Sequence, residues 1–144
     1  MIMMVLIYNQ NLIGPVFYRK AVCEGYSKFL QQILSLIDIE SIVVQGGGRK
    51  EDGGHVWNQV LIDGKWYNAD VTAASYSTHH GEQVKTCLVK DNRLLYKINS
   101  SISHICDEDY EIKIYKKGST MNENKTNINW LITIYRNSFR KSHK

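Results

Sequence analysis

Apolar side chains recur at Tyr26, Phe29, Leu30, Ile33, Leu34 and Ile37. The spacing i, i+3, i+4, i+7, i+8, i+11 lays one stripe along a helix and predicts a helix from about Cys23 to Ile37. Glu24 near its start suits the positive end of the helix dipole. Asp38 and Glu40 mark the exit, and Ile42-Val43-Val44 reads as a short strand. Before the helix, Gly14-Pro15 is a turn signal. After the strand, Gly46 to Gly54 (GGGRKEDGG) holds five glycines in nine residues. It lacks the spacing and the terminal Lys-Ser/Thr of a phosphate loop, so it reads as a mobile connector.

Two further strands are expected, His55 to Ile62 and Lys65 to Val71, with Asp63-Gly64 between them. That dipeptide is a strong signal for a two-residue hairpin with a type I′ turn. Such a turn sets Ile62 opposite Lys65, Trp57 opposite Asp70 and His55 opposite Thr72. Side chains alternate between faces, so His55, Trp57, Asp70 and Thr72 share one, together with Trp66. His55 and Asp70 become diagonal neighbours about 7–8 Å apart, a gap their side chains can close. Later β-like pieces are Thr86 to Val89, Leu94 to Ile98 and Glu111 to Lys116. Gly118 to Asn129 reads as a loop, and Trp130 to Phe139 as a short closing helix or strand. One helix followed by a run of strands predicts an α+β fold with an antiparallel sheet.

The 144 residues fit one domain over 1–115 and a C-terminal extension over 116–144. Hydrophobic residues make up 43% and charged residues 22%, enough for a packed core and unlike a disordered chain. The net charge of +4 is uneven: residues 116–144 carry +6 and residues 1–115 carry −2. Basicity therefore belongs to the extension, which reads as solvated, and no nucleic-acid partner is expected. The apolar stretch Met1 to Tyr8 is too short to span a bilayer and lacks the features of a secretory signal, so no transmembrane segment is expected. Three cysteines, Cys23, Cys87 and Cys106, make no disulfide framework and favour a reducing, cytoplasmic compartment. The spacings of His79-His80, Cys87, His104 and Cys106 match no zinc pattern, so no metal site is expected.

The candidate chemistry follows from the hairpin. A carboxylate at position 70 can hold one nitrogen of the His55 ring and leave the other to act as a base. Cys23 begins the predicted helix, where unpaired N–H groups and the dipole stabilise a thiolate. Gly25 in the first turn lets the hairpin or a substrate approach closely. Packing that helix start on the His55 face would gather a thiol, a base and an orienting acid. Taken singly, each has a plainer role: a buried cysteine, a structural histidine, an aspartate that caps a turn. Trp57 and Trp66 read either as core or as walls that exclude water from the ion pair. Asn58 and Gln59 read as residues that satisfy hydrogen bonds.

Ala21-Val22-Cys23-Glu24-Gly25-Tyr26-Ser27 resembles the nucleophile motif of the transglutaminase-like superfamily. Gly54-His55-Val56-Trp57-Asn58-Gln59-Val60 resembles its histidine motif. Asp63-Gly64-Lys65-Trp66-Tyr67-Asn68-Ala69-Asp70-Val71-Thr72 resembles its aspartate motif. The resemblance covers residues 18–72, in order, and only loosely 85–110. It implies a papain-like core in which the cysteine-bearing helix packs on an antiparallel sheet. It implies a Cys23–His55–Asp70 triad acting on peptide or protein amides through a thioester, as in transglutaminases, cysteine peptidases and many bacterial relatives. No cofactor is implied. The Cys23 N–H is the expected oxyanion donor, with Tyr18 a candidate second donor and cleft residue.

The sequence departs from the family in two places. Only 22 residues precede Cys23, where relatives carry several tens. The expectation is either a domain shortened at its N-terminus or one whose cleft a partner or a second copy completes. After Thr72 the chain reads Ala73-Ala74-Ser75, where relatives often continue with aromatic and acidic residues. The alternative function is a non-catalytic binding or scaffold domain that keeps the fold.

Overall fold

The computed structural model describes residues 10–18, 21–47, 54–80, 86–94 and 96–110. The expectations for the first eight residues, for the middle of the glycine-rich stretch and for everything after Tyr110 lie outside these. The chain divides into a unit Met1–Asp109 and a unit Tyr110–Lys144, and all elements described belong to the first.

A π-helical segment, Gly14–Tyr18, occupies the place of the expected Gly14-Pro15 turn. Helix α1 spans Cys23–Ser35. Its apolar stripe faces inward: Leu34 is buried, and Tyr26, Phe29, Leu30 and Ile33 are half-buried. The chain leaves the helix through Asp38, whose φ of 55° is a left-handed value that aspartate tolerates. Five strands follow: β1 (Ser41–Gly47), β2 (His55–Ile62), β3 (Lys65–Ala69), β4 (Cys87–Val89) and β5 (Lys97–Ile98). They form one antiparallel sheet in the order β4-β3-β2-β1-β5. The fold is thus α+β, with a helix packed on an antiparallel sheet, as the sequence pattern predicts.

The hairpin register also follows the turn. Asp63 (φ 50°) and Gly64 (φ 80°) both take left-handed values, which match a type I′ turn. Ile62 pairs with Lys65, Leu61 with Trp66 and Asn58 with Ala69.

Several boundaries differ from expectation: the helix ends at Ser35 rather than Ile37, and the strand expected from Leu94 is only Lys97–Ile98. Strand β1 continues through Gly46 and Gly47, which were assigned to the connector, because both pair with β5. Strand β3 ends at Ala69 rather than Val71. Val71 opens a second helix, α2 (Val71–His79), that the sequence pattern did not reveal. Thr72 is therefore helical and does not pair with His55. The reason is Asp70, whose Oδ1 accepts the backbone N–H of Ala73 at 3.0 Å while its carbonyl accepts that of Ala74 at 3.0 Å. That is an N-cap, and it starts a helix where the ladder would otherwise continue.

The two faces of the sheet are covered differently. Helix α1 lies on the face of Val56, Asn58 and Val60. There the Ser27 hydroxyl donates to the Val56 carbonyl (3.1 Å) and Asn58 Nδ2 donates to the Ser27 carbonyl (3.0 Å). Helix α2 packs against α1. The opposite face presents His55, Trp57 and Gln59 of β2, and it is covered by Tyr96, His104 and Cys106. Contrary to expectation, the body of α1 therefore does not pack on the His55 face, because Asn58 ties it to the other side. Trp57, Val44, Val60, Ile62, Ala74 and Cys106 are core residues, the larger of them each worth roughly 1.5–3 kcal/mol of burial.

Candidate active site

His55 opens β2 and Asp70 directly follows β3, so both lie at the open end of the hairpin. His55 Nε2 meets Asp70 Oδ2 at 2.8 Å, and the two side chains are 11% and 2% exposed. A carboxylate accepts, so this bond assigns a ring proton to Nε2, and in the neutral ring it is Nδ1 that carries the lone pair. Asp70 is held from several sides. Its N–H donates to the Thr86 carbonyl (2.9 Å), the Thr86 hydroxyl donates to its carbonyl (3.3 Å), and Oδ1 caps α2. The acid cannot swing away from the ring without breaking that cap.

Cys23 is the first residue of α1, half-buried and free of any disulfide. Val22 occupies the N-cap position and makes no side-chain bond to the first turn. The first backbone bond of the helix is Tyr26 N–H to the Val22 carbonyl. The N–H groups of Cys23, Glu24 and Gly25 therefore have no acceptor within the helix, as in any first turn. Gly25 and Ser27 are buried, which sets this end of α1 close to the sheet. Among the described residues no hydrogen bond joins the Cys23 thiol to the His55 ring.

Tyr96, which the sequence did not single out, connects the parts. Its ring stacks on His55 with centroids 4.2 Å apart and planes 29° apart. Burial raises its hydroxyl above the usual phenol value, and so do the charges of Asp70 and Cys23. The hydroxyl thus lies in the field of both residues and stays protonated.

Trp57 is fully buried, 5.8 Å from His55 and 6.0 Å from Tyr96 by ring centroids. Its Nε1 donates to Asn68 Oδ1 at 3.0 Å. It forms the floor under the imidazole rather than an exposed wall. Trp66 shares the sheet face but sits beside the turn, about 20 Å along the strand from His55. There it lies flat on His104, with centroids 4.0 Å and planes 2° apart, and it does not join the site. Tyr18 ends the π-helical segment, and its side chain is outside the described set.

A buried polar network ties the site floor to the covering segment. Asn68 Oδ1 accepts from Trp57 and from Gln59 Nε2 (3.2 Å), and Asn68 Nδ2 donates to Asp91 Oδ1 (2.7 Å). Gln59 grips the backbone of His104 at both its N–H (2.7 Å) and its carbonyl (2.8 Å). Gln59 was expected to satisfy hydrogen bonds, and it does. Its partner Asn68 was not foreseen, since nothing local distinguishes it in the aspartate motif. A separate groove of about 740 Å³, lined by Lys28, Gln31, Ser35, Asp38 and Glu40, lies along α1 and contains none of the site residues.

Among the described residues no helix is long and apolar enough to cross a membrane. No family model and no curated protein matches the chain. One solved structure that it resembles is the crystal structure of a TGase, at 24% identity and a TM-score of 0.42. The match covers 46% of this chain and 18% of that one. A likeness of that size says nothing about chemistry.

Proposed function

We propose that the chain is a transglutaminase-like cysteine acyltransferase or hydrolase acting on peptide or protein amides. The buried 2.8 Å bond between His55 Nε2 and Asp70 Oδ2 carries this reading. It orients an imidazole, fixes its tautomer and frees Nδ1 as a base. The three ordered motifs around Cys23, His55 and Asp70 support the same assignment. In this reading the domain has a papain-like core, and α1 delivers the nucleophile.

The steps follow from these groups. His55 Nδ1 takes the Cys23 thiol proton, and the sulfur attacks the amide carbonyl carbon. The N–H of Cys23 and its first-turn neighbours face the charge that develops on the carbonyl oxygen. The C–N bond breaks as the imidazolium returns its proton to the leaving amine, and a thioester remains. Water or a second amine then attacks, His55 takes that proton, and Cys23 is released as a thiol. Asp70 stabilises the imidazolium throughout and keeps its own proton state. Val22, 41% exposed, presents apolar surface next to Cys23 in the chain. An uncharged stretch of peptide suits such a rim.

Iodoacetamide alkylation, followed cysteine by cysteine with mass spectrometry, tests the reading. Cys23 should react at neutral pH, and His55→Ala should slow it on the order of 100-fold. Equal rates in the two proteins would overturn the mechanism. A binding or scaffold domain with the same fold would then remain.

A further inference from the structure

We propose that Tyr96 is a positioning residue for His55: its stacked ring holds the imidazole at the tilt where Nε2 meets Asp70 and Nδ1 stays free. The inference rests on the base role proposed for His55. A histidine ring turns about a soft torsion, so one hydrogen bond at Nε2 does not fix its plane. A second contact must supply that restraint, and Tyr96 covers a ring face at 4.2 Å. The three aromatic centroids form a compact triangle, with Trp57 to His55 at 5.8 Å and Trp57 to Tyr96 at 6.0 Å. In a stack of three the outer pair would be far more widely separated. Trp57 is therefore a common base on which the other two rings lean, and Tyr96 is the member placed directly on the imidazole.

The backbone fixes Tyr96 in turn. Lys97 and Ile98 pair with Gly47 and Gly46, and Gly46 pairs with His55 on its other side. The Asn99 N–H extends the pairing to the Gln45 carbonyl at 3.0 Å. Tyr96 thus enters the site from a strand edge two ladder steps from His55. Gly46 makes this possible, because a Cβ there would press on the Lys97 carbonyl and stand 2.6 Å from the Trp57 ring. Tyr96 is half-buried where Trp57 is fully buried, so it can be replaced without emptying the core. The ring supplies the restraint and the hydroxyl does not, which makes phenylalanine the conservative replacement.

The test compares Tyr96→Phe with Tyr96→Leu and Tyr96→Gln in the full chain. Proton NMR should show a downfield imidazole N–H resonance in the wild type, assigned by its loss in His55→Ala. Phe should keep that resonance and a near wild-type rate of Cys23 alkylation. Leu and Gln should lose or broaden the resonance and slow alkylation by about tenfold. A sharp resonance in whichever of the Leu and Gln variants folds, at the wild-type rate, would overturn the proposal. So would a Phe variant that behaves like Leu. Alkylation that ignores His55→Ala would sink the acyl-transfer reading, while the N–H resonance would still decide the role of Tyr96.

Discussion

Asp70 Oδ1 accepts the backbone N–H of Ala73 at 3.0 Å, so the acid that meets His55 is also the N-cap of α2. One carboxylate serves two elements, with Oδ2 on the imidazole and Oδ1 on the helix. The strand end, the helix start and the ring orientation are therefore one structural unit. A helix cap and a histidine partner usually read as rival interpretations of an aspartate after a strand, and here one carboxylate makes both contacts.

Substitutions at Asp70 should separate the two roles. Asn caps a helix about as well as Asp, so Asp70→Asn should fold with nearly wild-type stability. Its amide can donate to Nε2, which would move the ring proton to Nδ1 and remove the proposed base. Asp70→Ala loses the cap as well and should cost about 1 kcal/mol. Urea unfolding together with Cys23 alkylation checks this: both variants should react slowly, and only Ala should unfold early. An Asn variant as reactive as the wild type would refute the tautomer argument.

Gly46→Ala should damage the site from a distance. The added methyl meets the Lys97 carbonyl and the Trp57 ring, so either β5 moves off β1 or the indole shifts. Overpacking of this kind costs about 1–3 kcal/mol. The lowered urea midpoint should come with a changed ring environment at Tyr96, visible by NMR. Gly47→Ala is the control, since a Cβ there meets nothing within 4 Å.

What the sequence made legible was local or one turn away. The 3.6-residue period defines α1, and Asp63-Gly64 sets the β2–β3 register. From these two the His55–Asp70 bond follows. Helix α2 escaped because Val71 to His79 carries no apolar stripe and depends on the Asp70 cap. Strand β5 is two residues long, and its pairing with Gly46 and Gly47 joins segments about fifty positions apart. No local pattern encodes that pairing, so Tyr96 could not be seen over His55. Trp66 shows the converse: alternation put it on the correct face, but distance along the strand takes it out of the site.

Gln59→Leu should loosen the segment that covers the site floor. Gln59 serves both the N–H and the carbonyl of His104 and donates to Asn68 as well. Leucine fills the volume but leaves these partly buried groups without their partner, a loss on the order of 1–3 kcal/mol. Hydrogen exchange at the His104 amide should accelerate more than at the β2–β3 ladder. Uniform acceleration across the sheet would mean that the network does not act locally.

Cys106 gives the chain an alkaline limit. Its thiol, 2% exposed, is pushed from an ordinary 9.0 up to about 12, first by burial and then by the Asp91 carboxylate. The folded value lies above the unfolded one, so the folded state holds the proton more tightly. The associated stability is present below pH 9 and is lost as pH rises from 9 towards 12. Cys106→Ala removes this slope, although the smaller side chain lowers stability at every pH. Urea midpoints across that range should converge for the two proteins as pH rises. In the native wild type at pH 8, Cys106 should resist iodoacetamide while Cys23 reacts. Rapid native modification of Cys106 would show that the thiol is neither buried nor held neutral.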